Sequence, residues 1–303
     1  MNNHNLISRS IDYIEEHLEQ DLSLKGIAQA MFYSEYHFHR TFQYFMGETV
    51  SNYIRKRRLS NAAELLAYTD RKVLDIAIEC GFGAHETFTR AFRKMYGILP
   101  SDCRKQGFPP FIVPRAVPLL SDESITLNWS DYRMQPSIET LPAMRIIGFS
   151  LATSTIDGQN HKEIPVFWQD YMREQWRDRV PGKKNPNVEL GVCTAIDEDG
   201  SFRYIIGFEA DNETAVPEGL VEYFIPEATY AIFTTPPADN EQFSAAIQGT
   251  WGNIFRDWFP GSGYEQAYAP DFEWYDERCW GETNKVIDIY IPVQPAAGQQ
   301  ANP

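Results

Sequence analysis

Apolar residues in the first hundred positions recur at helical spacing, and capping or turn residues interrupt them at regular places. Leu6, Ile7, Ile11, Ile14 and Leu18 lie close to the i, i+3/i+4, i+7 pattern of one helix face. Ser23, ahead of Leu24, has the position of an N-cap and starts a short helix through about Met31. Ser34 caps the next, which turns Phe38, Phe42 and Phe45 inward, leaves Tyr36, His39, Arg40 and Gln43 on other faces, and ends at Gly47. A long helix is predicted from Thr49 to about Tyr68, on Val50, Ile54, Leu59, Ala62, Leu65 and Leu66. Helices then follow over Val73–Cys80 and from about His85 to Met95, separated by Gly81-Phe82-Gly83, and Pro100 opens a last one through about Gln106.

One pattern occurs twice in this array. Ile27, Ala28, Phe38, Arg40, Phe42 and Gly47 read I-A-(x)9-F-x-R-x-F-(x)4-G, and Ile76, Ala77, Phe88, Arg90, Phe92 and Gly97 repeat it with one residue inserted at the turn. Two short helices and a tight turn, duplicated, predict a double helix-turn-helix. The long helix between the copies would measure roughly 30 Å, close to the ~34 Å turn of B-DNA, so two reading heads could sit about one groove repeat apart. The phenylalanines belong to packing.

The pattern changes after residue 107. Phe108–Leu120 holds Pro109, Pro110, Pro114 and Pro118 and reads as an extended linker, taken as residues 108–130. Strands alternate with amphipathic helices beyond it. Ile138–Phe149 and Glu222–Phe233 both read as strands with a proline at the same place, Pro142 and Pro226, 84 residues apart. Each precedes a helix rich in aromatics: Phe167, Trp168, Tyr171 and Trp176, then Phe243, Trp251, Phe255 and Trp258. Hairpin candidates follow, Leu190–Ile196 with Phe202–Phe208 and Asp271–Asp276 with Val286–Val293, and the same offset aligns Glu189 with Glu273. The expected architecture is therefore multidomain. An all-α double helix-turn-helix domain (1–107) precedes an α+β pseudo-twofold domain (131–295), and 296–303 forms a disordered tail.

Charge supports the division. The chain of 303 residues has a net charge of −15, which by itself argues against a nucleic-acid partner. Residues 1–107 hold 14 Lys+Arg and 13 Asp+Glu, which leaves 13 against 29 for the remainder. The acid thus sits in the second part, while the first carries the run Arg55-Lys56-Arg57-Arg58. Such a run alone reads as a solvated helix face or as a phosphate clamp. No apolar stretch approaches the ~20 residues needed to span a bilayer, and the N-terminus lacks a signal-peptide core. Cys80, Cys103, Cys193 and Cys279 lie far apart, as single thiols in a reducing cytosol, and the six histidines show no metal spacing. No metal or cofactor is expected, and the expected location is cytoplasmic.

The second copy of the repeat resembles the AraC/XylS family of bacterial transcription regulators. Ala77, Gly81, Phe82, Phe88, Arg90, Phe92, Arg93, Gly97, Pro100 and Arg104 fit its most specific stretch, and Ala28, Ser34, Phe38, Arg40, Phe42 and Gly47 match in the first copy. Cys103 departs from the usual aromatic. The resemblance implies base-edge contacts from Tyr36, His39 and Arg40 in the first head, and from His85, Glu86, Thr87 and Arg90 in the second. Arg55, Arg57 and Lys94 join them as DNA-binding candidates. An arginine there can pair with a guanine edge, a phosphate or an internal carboxylate. The implied partner is double-stranded DNA with an asymmetric site of two major-groove segments. Activation, with RNA polymerase as a further partner, is more usual in the family than repression.

The second half is similar to the GyrI-like effector-binding domain. Val221–Tyr230, Trp251–Glu265, Asp271–Tyr275 and Ile287–Val293 carry the similarity. It implies a cleft that takes amphipathic, often cationic, small molecules through aromatics and a central glutamate, matched here by Glu273. Trp168, Tyr171, Tyr230 and Trp251 are the candidate aromatics. A carboxylate among such rings is costly to desolvate unless a cation or hydrogen bonds compensate, and cation–π contacts would add ~0.5–2 kcal/mol each. Glu273 on an exposed strand face, with the aromatics as ordinary core, is the competing expectation. Two other functions remain open for this half: hydrolysis by Glu273 with a nearby tyrosine, and a protein-binding module using its acidic surface. Regulation through a ligand is the leading expectation, and no catalytic residue is assigned.

Overall fold

The computed structural model describes residues 3–116, 135–197 and 199–296. Most of the expected linker and the expected tail beyond residue 296 lie outside the described residues.

Among the described residues, seven helices form the first part: α1 (Asn3–Glu16), α2 (Leu24–Ala30), α3 (Glu35–Met46), α4 (Val50–Tyr68), α5 (Val73–Glu79), α6 (His85–Tyr96) and α7 (Pro100–Gln106). The caps act where the sequence puts them. Ser23, Ser34 and Thr49 side chains accept the N–H groups of Gly26, His37 and Asn52. Gly47 and Gly97 end α3 and α6 in the left-handed region, at φ 65° and 75°. The second unit is less finished, because Lys72 and Ala84 precede α5 and α6 without a side-chain cap.

Helix α4 serves two cores. Val50, Tyr53 and Ile54 pack with α1–α3, whereas Leu59, Ala62, Ala63 and Leu66 pack with α5–α7. Its apolar side therefore shifts along its length. Phe38, Phe42, Phe88 and Phe92 are fully buried, and each stabilises its head by about 1.5–3 kcal/mol through burial.

Among the described residues, nine antiparallel strands form the second part: β1 (Ser137–Leu141), β2 (Met144–Ser154), β3 (Glu189–Cys193), β4 (Ser201–Glu209), β5 (Val221–Ile225), β6 (Ala228–Thr234), β7 (Tyr264–Gln266), β8 (Asp271–Tyr275) and β9 (Asp288–Pro295). Their order is β1-β6-β9-β8-β3-β4-β2-β5, with β7 on β9. Pro142 and Pro226 split each long predicted strand in two, since proline cannot donate to a ladder. β1 pairs β6 while β2 pairs β5. Two residues thus link strands from opposite ends of the order, and the sheet must roll until those ends meet. Met144, Leu190, Ile225, Tyr230 and Phe272 fill its inside. The strand order reverses onto itself about the β3·β8 pair, which is the pseudo-twofold. Helices α8 (Gln159–Arg173) and α9 (Asn240–Asn253), the latter continued by a π turn at Ile254–Trp258 and by α10 (Phe259–Ser262), cover the other face.

The two parts share an interior. Leu6, Ile11, Phe38 and Phe42 of the first and Ile254, Phe255, Phe259 and Ile289 of the second lie in one buried cluster. Residues 111–116 run back along α4, with Val113 N donating to Ser60 Oγ at 3.0 Å and Ala116 N to Tyr53 Oη at 3.3 Å.

Candidate DNA interface and effector site

The two reading helices fare differently. On α6, His85, Glu86, Thr87, Arg90 and Lys94 are all exposed, with Phe88 and Phe92 beneath them. On α3 only Glu35 is exposed. Tyr36, His39 and Arg40 face protein, which departs from the expectation of three base-contacting side chains at an open surface. Arg40 Nη2 lies 2.5 Å from Asp271 Oδ2 on β8, and Gln266 Nε2 donates to the same oxygen at 3.1 Å. Tyr36 Oη donates to Ala269 O at 3.3 Å and meets Tyr268 edge-on. Gln266 N donates to His37 Nδ1 at 3.1 Å, while burial holds both His37 and His39 near pKa 4, helped at His39 by Arg40. The internal carboxylate is thus Arg40's partner in this conformation.

The basic run also divides. Arg57 is not an open phosphate contact: Nε and Nη2 reach Glu15 Oε1 and Oε2 at 2.8 and 2.9 Å, tying α4 to α1. Burial pushes the Glu15 carboxyl up, but hydrogen bonds from Arg57 and Tyr53 outweigh it and leave it below the usual range. Arg58 holds Leu18 O, Gln20 O and Gly81 O, so it joins both heads. Arg55 is exposed, with Asn52 Oδ1 at 2.7 Å.

Glu273 is buried, at 7% exposure, on the helix-covered face of β8. That excludes the exposed-strand expectation. Three neutral donors hold it. Tyr204 and Tyr275 hydroxyls donate to Oε2 at 2.6 and 2.9 Å, and Trp251 Nε1 to Oε1 at 3.1 Å. Trp168 Nε1 donates in turn to Tyr204 Oη at 2.9 Å, and its ring lies 4.5 Å from that of Tyr275. Burial raises the Glu273 carboxyl above the usual 4.5, against those three hydrogen bonds and with a further push from Asp271. Among the described residues no Lys or Arg forms an ion pair with it. Such a carboxylate is stabilised as an acceptor but not neutralised, which suits recognition of a positive charge.

Trp251 thus reaches Glu273 directly and Trp168 through Tyr204, one tryptophan from each pseudo-repeat. Tyr171 does not reach it; its hydroxyl lies 3.4 Å from Glu189, which also pairs with Arg177 at 3.3 Å. Tyr230 is on the wrong face. It packs with Phe272 inside the rolled sheet, because alternate strand residues point to opposite sides. Tyr204 and Tyr275 were not among the expected residues. Tyr275 stands two residues from Glu273, a same-face spacing that could have identified it, whereas Tyr204 requires the β3·β4 and β3·β8 registers. An open concavity of about 490 Å³ lies elsewhere, lined by Thr153, Ser154, Gln159, Thr194, Asp197 and Arg203. It is a rim feature remote in chemistry from the aromatic carboxylate. Among the described residues no group of three His, Cys, Asp or Glu could hold a metal ion, and no helix is long and apolar enough to cross a membrane.

A duplicated helix-turn-helix joined to a rolled pseudo-twofold sheet, with one carboxylate among aromatic donors, defines a DNA-reading module coupled to an effector-binding domain. The chain belongs to the AraC-type regulators with a GyrI-like domain: the model of the integron-associated effector binding protein family matches residues 137–293, and that of a helix-turn-helix domain matches residues 27–106. The right origin-binding protein of Escherichia coli (strain K12) is 31% identical over 205 residues, 64% of this chain and 69% of that protein. The transcriptional regulator BrlR of Pseudomonas aeruginosa is 31% identical over 174 residues, 55% of this chain and 58% of that one. The HTH-type regulator YbfP of Bacillus subtilis (strain 168) is 44% identical over 98 residues, 32% of this chain and 33% of that one. The chain thus spans a third of YbfP and little over half of BrlR.

Proposed function

We propose that this chain is a transcription regulator that reads DNA with its helical part and binds a small amphipathic cation at Glu273. The observation that carries the ligand reading is the environment of that carboxylate: buried, held by Tyr204, Tyr275 and Trp251, and without a basic partner among the described residues. A cation entering the aromatic cage would supply the missing charge and gain cation–π contacts. The names of the relatives, a transcriptional regulator and an origin-binding protein, support DNA as the other partner. His85, Glu86, Thr87 and Arg90 are the exposed base-edge candidates, Lys94 and Arg55 the backbone candidates. Tyr36, His39 and Arg40 would read a second segment of an asymmetric site once α3 is uncovered, and the regulator would act as an activator through RNA polymerase.

Calorimetric titration with tetraphenylphosphonium tests the ligand reading. Binding by the natural chain that disappears in Glu273→Gln is expected; equal affinity in both would overturn the assignment.

A further inference from the structure

We propose that Asp271 is a second anionic subsite of the effector site, that Arg40 of the first reading helix occupies it in this state, and that an aromatic cation bearing an N–H fork displaces Arg40 and frees α3 for DNA. This rests on Glu273 being the effector carboxylate.

Two helices in equivalent places of the repeat differ in what covers them. Arg40 and Arg90 hold the same place in the duplicated motif, yet Arg90 is exposed and Arg40 is bound to Asp271. Asp271 and Glu273 are alternate residues of β8, so both project from one face of the strand, roughly 7 Å apart along it. An arginine brought by α3 therefore lies on the neighbouring carboxylate of the same row. It plays there the part that a ligand cation would play at Glu273.

The seam around this pair is poorly satisfied for a permanent interior. Gln43 Oε1 and Gln266 Oε1 are buried without a donor, and Asp271 Oδ1 has only the Cys193 thiol beside it. All three are acceptors: Gln266, on β7, donates to Asp271 through the other end of its amide, and Gln43 follows Arg40 by three residues on α3, with its amide nitrogen on Thr155. A group with several N–H donors would answer them better than Arg40 alone does. Planar amidinium and guanidinium forks match a carboxylate with two parallel hydrogen bonds, and an attached ring would stack among Trp168, Trp251 and Tyr275. Ligand and protein arginine compete for one carboxylate, so ligand binding and uncovering of α3 are coupled, and the coupling is reciprocal with DNA.

Footprinting of the full chain on a duplex selected from a random pool tests the lock. Two variants open the seam by different means. Asp271→Asn removes the charge that holds Arg40. Gly252→Leu drives a side chain into the Tyr44 hydroxyl, which would lie 2.6 Å from a Cβ at that position. The natural chain should protect one major-groove segment, and both variants should extend protection by about one helical turn and bind at least ~10-fold tighter. Benzamidine at saturating concentration should do the same to the natural chain. Protection of both segments by the natural chain without ligand, or an unchanged footprint in both variants, would overturn the lock. Benzamidine binding that requires Glu273 but leaves the footprint short would also overturn it, with the ligand reading intact. Extended footprints in the variants without benzamidine binding would keep the lock and overturn release by a cation together with the ligand reading.

Discussion

Gly191 stands directly across the strand pair from Glu273, and the space its missing side chain leaves is filled by the Tyr204 hydroxyl. A Cβ at residue 191 would lie 2.1 Å from Tyr204 Oη and 2.9 Å from Glu273 Oε2. The pseudo-twofold sharpens the point: an offset of 84 places Tyr275 where Gly191 stands in the other half. One half supplies a phenol, the other the room for one.

Gly191→Ala should therefore force Tyr204 off the carboxylate. Overpacking of this kind costs about 1–3 kcal/mol, so thermal unfolding should shift down by roughly 2–12 °C. Cation affinity should fall with it. An unchanged melting temperature and an unchanged calorimetric isotherm would show that Tyr204 has somewhere else to go.

Cation binding should depend on pH at Glu273. Burial holds this carboxyl above 4.5 in the folded chain. Affinity should accordingly begin to fall, on acidification, at a pH above 4.5, as the protonated acid replaces the anion. The sign for stability is opposite to that of a salt-bridged acid. The ligand-free folded state binds the extra proton, so stability falls as pH rises from 4.5 through the raised value. Titrations between pH 4 and 8, by calorimetry and by urea unfolding, check both slopes.

Glu15→Gln should loosen the helical part. It breaks the two-pronged contact with Arg57 and leaves that guanidinium half-buried, at a cost of about 1.5–3 kcal/mol. Glu15 sits below the usual carboxylate range, so its contribution is present above the unfolded value and is lost as pH falls through the folded one. Urea midpoints of natural and variant chains should differ at pH 7 and converge toward pH 3.

Arg90→Ala should weaken specific DNA binding by about 1–3 kcal/mol without lowering stability. Lys94→Ala should lower affinity on all sequences alike and reduce the salt slope by about one. Gel shifts across a salt series distinguish the two. Equal loss on specific and non-specific duplexes for Arg90→Ala would move that residue to the phosphates.

The duplicated motif made the helical part legible in detail, because caps and apolar spacing are local. Ser23, Ser34 and Gly47 act at the positions read for them, and Thr49, read as the first residue of its helix, caps it. The sheet was legible as strands and hairpins, but the breaks at Pro142 and Pro226 were not, since each proline was read inside one long strand. What resisted was parity across strands. Tyr230 and Tyr204 differ only in which side of the sheet they take, and a single-residue change of register would exchange such roles. The covering of α3 resisted for a related reason: its partners Gln266, Ala269 and Asp271 come from β7, β8 and the turn between them. No periodicity in α3 points there. The resemblance pointed to Glu273 and Trp251, and the aromatic helix to Trp168, while Tyr204 needed two strand registers at once.

The missing caps at Lys72 and Ala84 set a different clock for each head. One amide at the start of each of α2 and α3 has a hydroxyl oxygen to accept it, whereas the starts of α5 and α6 have no side-chain cap. Hydrogen exchange should therefore run faster at 73–76 and 85–88 than at 24–27 and 35–38. The half that stands open to DNA is also the half that frays first. A bound phosphate backbone would slow its exchange by supplying acceptors that the sequence withholds.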